Sequence, residues 1–278
     1  MRETTVDEEF TGEARVAREL ALHVTLTDHD SLSSSEPSAS FRKVSEEPQD
    51  AFYRGWMLQT DAYALMYAKA AERGVRLRTS PQQFGAAHYI TGWIDLFEGY
   101  TPATVIVDPS ASADEIKAAA RELGSFSFIV KDFVKSRKHE WDTACFAKNL
   151  ETLPAVVAEF IRLQEDSLVG GIVIREFVDL DFSRPELRVW WVDGRPVLTT
   201  VHPDYDSHSV PSDPSDKPLV FLSEITPLVQ KLGNPFVTTD IARKADGSWT
   251  VVEVGDGQVS GFPKSVTDEE MSIVFRSI

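Results

Sequence analysis

The stretch that most constrains the fold lies in the last fifth of the chain. Phe236 to Arg243 and Trp249 to Val254 read as two strands around an Asp246-Gly247 turn. Asp-Gly between apolar runs is a strong hairpin signal, because both residues tolerate the positive φ that the tight turn needs. A two-residue turn sets Ala245 opposite Ser248, and counting outward sets Asp240 opposite Glu253. Directly opposed strand residues have Cβ atoms roughly 4.5–5.5 Å apart, where like charges repel. Asp is also depleted in strands. Two carboxylates held this way need a proton, a basic partner or a metal ion. The alternatives are a solvated strand face, or a different turn length that shifts the pairing. Asp256 follows in Val254-Gly-Asp-Gly-Gln-Val-Ser-Gly261, and the turn there can bring in a third carboxylate. Three oxygen donors suit magnesium, which takes carboxylates together with substrate phosphates. Gly255-Asp-Gly-Gln is no dinucleotide fingerprint, since the third glycine is missing and the motif is acidic.

Ahead of this hairpin the pattern alternates between strand and helix. Glu13 to Leu26 reads as a short helix or strand, and Asp30 to Ser40 as a serine-rich linker, so residues 1–40 are expected to be a flexible extension. Phe52 to Met57 suggests a strand and turn, and Asp61 to Arg73 a helix capped by Gly74. Val75 to Arg78 is a short strand, and Ser80-Pro-Gln-Gln83 opens a helix with serine as N-cap. These form a small α/β domain over 41–101. A second domain is expected over 102–278, with a small lobe to about 178 and a large lobe beyond. Its elements are a strand at Val105 to Val107, a helix boxed by Ser112 and Glu115 and ended by Gly124, and a strand from Phe126 to Val130. A helix from Pro154 to Gln164 and a strand from Gly171 to Val178 follow. Leu187 to Val192 and Val197 to Val201 flank an Asp193-Gly194 turn, and Thr226-Pro227 is read as the cap of a helix ending at Gly233. The overall class is α/β (α+β).

Charge narrows the partners. Lys and Arg number 28 against 44 Asp and Glu, a net charge of -16. Such a surface repels phosphate backbones and anionic lipid, so neither nucleic acid nor a membrane is expected as partner. No secretory leader is read in the acidic Met1 to Phe10, and a cytoplasmic location is the expectation. Cys145 is the single cysteine, so no internal disulfide and no cysteine metal cluster can form. It reads as a core residue.

Several polar residues remain as candidates. Phe128-Ile-Val-Lys-Asp-Phe-Val-Lys-Ser-Arg-Lys138 gathers Lys131, Lys135, Arg137 and Lys138 in an acidic protein. A lysine at a strand end can aim its ammonium at a phosphate, or the stretch is a solvated basic loop. Arg175-Glu176 interrupts an apolar strand. Glu186 and Arg188, two apart, share a strand face, and such acids and bases often pair with each other. Arg54 beside Gly55 and Trp56 either grips a carboxylate or packs a turn. His202 and His208 lie in a Pro/Asp/Ser-rich loop with no further His or Cys to complete a zinc spacing, so a surface loop is expected. No Gly-x-Ser-x-Gly element supports a serine hydrolase.

Taken in order, these pieces resemble the ATP-grasp superfamily over roughly residues 50–265. The order is a lysine ending a strand, a glutamate hinge, a Glu-x-Arg strand, then Asp and Glu on paired strands. Within it the chain is similar to the clade marked by one N-terminal arginine and two lysines. The resemblance implies a two-lobed ATP-grasp domain after a small α/β domain, binding ATP and magnesium. It implies Lys131 on the nucleotide phosphates and Lys135 as the second lysine. Glu176 would take the adenine amino group, Phe177 and Val178 would give backbone groups to the ring, and Glu186 would bind ribose. Arg188 and Arg54 would serve substrate or the transferred phosphate, and Asp240, Glu253 and Asp256 the metal. Many members carry Asn where Gly255 stands, and a glycine-rich loop where Ser136-Arg-Lys-His-Glu-Trp141 stands. Side chains rather than backbone amides are then expected to hold phosphate.

The implied activity is a ligase that joins a carboxylate to an amine through an acyl-phosphate. The acid is a small molecule, a peptide or a protein side chain, and an amine is the acceptor. A kinase on the same fold and a non-catalytic nucleotide-binding module are the alternatives.

Overall fold

The computed structural model describes residues 5–29, 47–205 and 218–278. The serine-rich linker and His208 lie outside the described residues. The helices are α1 (Thr11–Glu19), α2 (Thr60–Glu72), α3 (Pro81–His88), α4 (Ile90–Trp93), α5 (Ala113–Arg121), α6 (Leu153–Gln164), α7 (Leu219–Leu232) and α8 (Asp268–Ser277). The strands are β1 (Gln49–Ala51), β2 (Val75–Leu77), β3 (Thr104–Val107), β4 (Phe128–Lys131), β5 (Phe146–Ala147), β6 (Ile172–Glu176), β7 (Leu187–Val192), β8 (Arg195–Val201), β9 (Phe236–Arg243) and β10 (Trp249–Asp256). They fall into two compact units. One comprises Met1–His88, Pro185–Ile241 and Glu253–Ile278, the other Tyr89–Arg184 and Ala242–Val252.

In the first unit β1 and β2 pair in parallel across α2. Gly74, with φ 77°, turns the chain from α2 into β2 in a conformation that favours glycine. Ser80 and Gln83 exchange the two bonds of a capping box at the start of α3. Tyr63 stacks on Phe84 at 4.1 Å between centroids, inside a core that includes Met66 and Leu77. The antiparallel sheet runs β10-β9-β7-β8. All six residues of β7 are buried. A strand covered on both faces has no polar side to show, which is why Leu187-Arg-Val-Trp-Trp-Val192 lacks alternation. Asp193 and Gly194 both take positive φ, 47° and 69°, in the turn between β7 and β8, as a tight hairpin requires. Trp190, Phe236 and Val274 pack together under the sheet.

Two expectations need correction here. The segment before the linker, read as a short helix or strand in a flexible extension, is a docked helix: α1 buries Val16 against Met271 and Phe275 of α8. Arg15 also clamps Asp268 with two bonds of 2.8 and 2.6 Å. Thr226-Pro227 does not cap a helix but lies inside α7. Proline removes one backbone donor, and the flanking turns carry on around it. Apolar burial of Phe221, Leu222, Ile225 and Val229 along one face holds the helix together.

The second unit is an antiparallel sheet in the order β3-β6-β4-β5. Phe128, Val130, Ile172 and Ile174 meet Ile116 of α5 and Val157 and Phe160 of α6 in one core. Ser112 and Glu115 form the expected capping box on α5. Among the described residues no helix is long and apolar enough to cross a membrane.

Gly170 leads into β6 with φ 71°, and a Cβ there would run into the Phe133 ring. Gly170→Ala combines left-handed strain of about 1–2 kcal/mol with overpacking of about 1–3 kcal/mol. A loss of roughly 3 kcal/mol is expected, read as a lower urea midpoint; an unchanged midpoint would contradict the packing described.

Candidate functional site

The charged centre of the first unit is built by strand register. Arg188 on β7 sits opposite Asp240 on β9. The guanidinium donates to both carboxylate oxygens at 2.8 Å and to the Gly261 carbonyl at 2.9 Å. Arg188, Asp240 and Glu186 are all at least nine-tenths buried. Burial works against the charge on Arg188, but Asp240, Glu253 and Glu186 more than offset it, so the guanidinium is held above its ordinary value. The basic partner demanded by the acids is therefore Arg188. One backbone bond beyond the end of the β7–β8 ladder, the His202 N–H donates to the Glu186 carbonyl at 2.8 Å. That bond brings His202 to within 3.6 Å of Asp240, Nε2 to Oδ2. One ligand atom each from Glu186, His202 and Asp240 lies within 4.8 Å of the others. The expectation of His202 in a plain surface loop is thus overturned. Its partners are carboxylates from distant strands, which His and Cys spacing cannot reveal.

The tip of the last hairpin differs from the turn expected. Lys244 N–H donates to the Ser248 carbonyl at 2.7 Å and Gly247 N–H to that of Lys244 at 2.8 Å. Gly247 has φ 88°. Three residues rather than two fill the loop, and the left-handed glycine makes a bulge that moves the pairing at the tip by one. Glu253 still reaches the centre electrostatically, through Arg188.

Asp256 stands apart from the three acids and does not fit the expected role of metal ligand. It is fully buried, accepting from Asn234 Nδ2 at 2.6 Å and from Gln258 N and Nε2 at 2.9 and 3.1 Å. Arg54 is not open to a substrate either. Its guanidinium takes both oxygens of Glu13 at 2.7 Å, donates to the Gly257 carbonyl, and lies 5.4–5.9 Å from the rings of Trp190, Phe236 and Phe262. The packed alternative describes it, with α1 rather than a turn as the partner.

In the second unit Lys131 ends β4, buried, opposite Val173 of β6. The next turn is set by Asp132, whose carboxylate accepts from Val134 N, Lys135 N, Gln164 Nε2 and Val169 N. Lys135 is exposed on that turn. Ser136-Arg-Lys-His-Glu-Trp141 leads into two short helical turns, Lys138–Glu140 and Trp141–Cys145. Glu176 is already engaged: its Oε1 accepts from Ala103 N at 3.0 Å, and its own N–H bonds the Ala103 carbonyl. The Phe177 N–H is spent on the Ser127 carbonyl. One Glu176 carboxylate oxygen and the Phe177 N–H are thus already in use within the unit. Phe177 meets Trp141 and Phe146 edge-on, and those two stack at 5.4 Å. Phe146 pairs with Ile129, which shares a strand face with Lys131. Burial pushes the Cys145 thiol up to about 11, so it is no nucleophile at neutral pH.

A family profile described as "ATP-grasp domain, R2K clade family 3" matches residues 122–274, more than half of the chain. The chain belongs to the ATP-grasp superfamily. Solved structures agree on the fold. A RimK domain ATP-grasp protein from Sphaerobacter thermophilus DSM 20745 gives a TM-score of 0.65 at 14% identity, over 98% of this chain and 95% of that one. D-cycloserine synthetase DcsG gives 0.65 at 17% identity, over 95% and 91%. A D-alanine–D-alanine ligase from Bacillus anthracis, complexed with ATP, gives 0.54 at 15% identity, over 79% and 76%. None of the curated proteins matches the sequence.

Sequence reasoning about this ATP-grasp chain passed over Asp132, read His202 as part of a surface loop, and named Phe177 without its ring partners Trp141 and Phe146. Asp132 carries a weak signal, as an acid between an apolar strand and a basic turn. Asp256 yields a pH test. Burial raises its carboxyl to about 6 from 3.8, although the bonds from Asn234 and Gln258 pull it down. The folded state holds this proton more tightly, so the stability it contributes is complete below pH 3.8 and is lost as pH rises towards 6. The span is on the order of 3 kcal/mol. Asp256→Asn removes the dependence. Urea unfolding from pH 4 to 7 should show the stability difference moving in favour of the variant as pH rises. Parallel curves would rule it out.

Proposed function

We propose that this ATP-grasp protein is a magnesium- and ATP-dependent ligase joining a carboxylate to an amine through an acyl-phosphate. The observation that carries the reading is the buried Arg188–Asp240 pair, with Glu186 and Glu253 acting on the same guanidinium, in an ATP-grasp fold. A buried ion pair adds little net stability, and a rigid guanidinium flanked by carboxylates suits recognition of a charged ligand.

The residues fit the metal that the fold family implies. Asp240 and Glu253 offer carboxylate oxygens, the donor type magnesium prefers. Bound there, magnesium would neutralise charge on the triphosphate. The chain's own groups do the rest. Lys131, at the end of β4, presents its ammonium to phosphate oxygens, and Lys135 extends the cationic edge from the turn that Asp132 fixes. With no glycine between Ser136 and Trp141, side chains replace the backbone cradle. Trp141, Phe146 and Phe177 offer ring faces and edges to adenine. Arg188 is held rigidly by Asp240 and steadies charge on the transferred phosphoryl group. The substrate carboxylate attacks the γ-phosphate and ADP leaves; the amine then displaces phosphate and an amide bond forms. Catalysis is positioning and charge stabilisation, with no side-chain nucleophile required. The acid is a small molecule, peptide or protein carboxylate. The reaction is assigned to the cytoplasm, where ATP and magnesium are plentiful.

Lys131→Ala and Glu253→Ala should each lower ATP turnover by about 10²–10³-fold or more, with circular dichroism and thermal midpoint preserved. Normal turnover in either variant would remove the assignment. Hydroxylamine added to the turnover mixture should trap a hydroxamate. ADP formation with a phosphorylated alcohol and no hydroxamate would mark a kinase instead.

A further inference from the structure

We propose that Glu186, His202 and Asp240 form a binding site for a first-row transition dication of the Mn²⁺ or Zn²⁺ class, with the His202 imidazole as nitrogen donor. The site shares Asp240 with the magnesium reading above but needs no nucleotide, so the two can fail separately.

The backbone pre-positions all three groups. Glu186 and His202 are tied by the 2.8 Å bond that prolongs the β7–β8 ladder. Asp240 is fixed opposite Arg188 on β9. Donor atoms of the three lie within 4.8 Å of one another; ligands at roughly 2.0–2.2 Å from one ion are at most about 4.4 Å apart, so the three side chains close inward on the ion by rotamer adjustment. The Asp240 carboxylate is shared rather than consumed: each of its oxygens takes one bond from Arg188, and each has a second lone pair. Asp240, Glu253 and Glu186 all act on the Arg188 guanidinium, so the surroundings are rich in carboxylate oxygen. The side chains of His202 and Asp240 are 14% and 5% exposed, which limits competition from water.

The donor set decides the class of ion. Magnesium dehydrates reluctantly and takes oxygen ligands, whereas imidazole suits first-row transition ions, zinc among them. The second nitrogen of the ring has a prepared partner as well. His202 Nδ1 accepts from the Asp204 N–H at 3.2 Å, and the Asp204 carboxylate lies 3.6 Å from the same atom. An ion on Nε2 would move the ring proton to Nδ1 at the expense of the bond from the Asp204 N–H, and the exposed Asp204 carboxylate, 3.6 Å away, would swing in to accept the new Nδ1–H. This gives the carboxylate–histidine–metal arrangement that orients many metal-bound imidazoles.

The test uses the full chain without nucleotide and Mn²⁺ as the probe. Electron paramagnetic resonance should count one bound Mn²⁺, and spin-echo modulation should show directly coordinated ¹⁴N. Equimolar Zn²⁺ should displace it and a tenfold excess of Mg²⁺ should not. His202→Ala should abolish the ¹⁴N modulation and weaken binding at least tenfold. Glu186→Gln, a near-isosteric change, should weaken binding while keeping the modulation. No ¹⁴N modulation in the wild type, modulation surviving in His202→Ala, unchanged affinity in Glu186→Gln, or displacement by equimolar Mg²⁺ would each overturn the site. Mn²⁺ bound through His202 without ATP turnover would leave this site standing and remove the ligase reading; turnover without such binding would do the reverse.

Discussion

The pairing of Arg188 with Asp240 is the interaction around which the first unit is organised. Both side chains are buried and bonded to each other twice, so removing either would leave an uncompensated charge in the interior. Their geometry depends on β7 lying next to β9 in one register; a slip of one strand by one residue would put the two groups on opposite faces of the sheet. The same register positions Glu186 just before β7, and the ladder on the other side of β7 positions His202. Four groups that are scattered along the chain are thus gathered by a single central strand. The fully buried sequence of β7 is the cost of that central position, and the two tryptophans fill the space on either side of it.

The second unit solves a different problem. It presents Lys131 at the end of a short strand and needs the following turn to be firm. A glycine-rich loop would leave that turn flexible, with backbone amides doing the work. Here the Asp132 carboxylate gathers four donors under the turn, and helical turns from Lys138 to Cys145 replace the glycines. Rigidity comes from a buried acid, and positive charge from side chains.

Legibility in the sequence follows the range of the forces involved. Capping boxes at Ser80 and Ser112 and the Asp193-Gly194 turn act over three or four residues, and each was readable as it stands. Thr267 and Glu270 form the same box at the start of α8, and the pattern was there to be read. Long-range effects were harder. Pro227 reads as a boundary by local propensity, yet burial along α7 overrides it. The opposition of Asp240 and Glu253 was counted from a two-residue turn; the tip differs by one residue at Gly247, whereas the Gly257 N–H bond to the Phe236 carbonyl further along the ladder keeps the counted register. The acidic character of the centre was visible; that Arg188 answers it, and that His202 joins it, depends on strand neighbours no local pattern names.

The bond between Glu13 and Arg54 reaches beyond its immediate surroundings. Three aromatic rings and one carboxylate from α1 enclose that guanidinium. Trimming the protein at its serine-rich stretch, a natural choice for anyone seeking a minimal catalytic fragment, would strand a cation against a greasy wall. The penalty for such an orphaned charge is about 3–5 kcal/mol, a large share of what keeps a domain of this size folded. What looks like a dispensable leader therefore belongs to the body of the molecule.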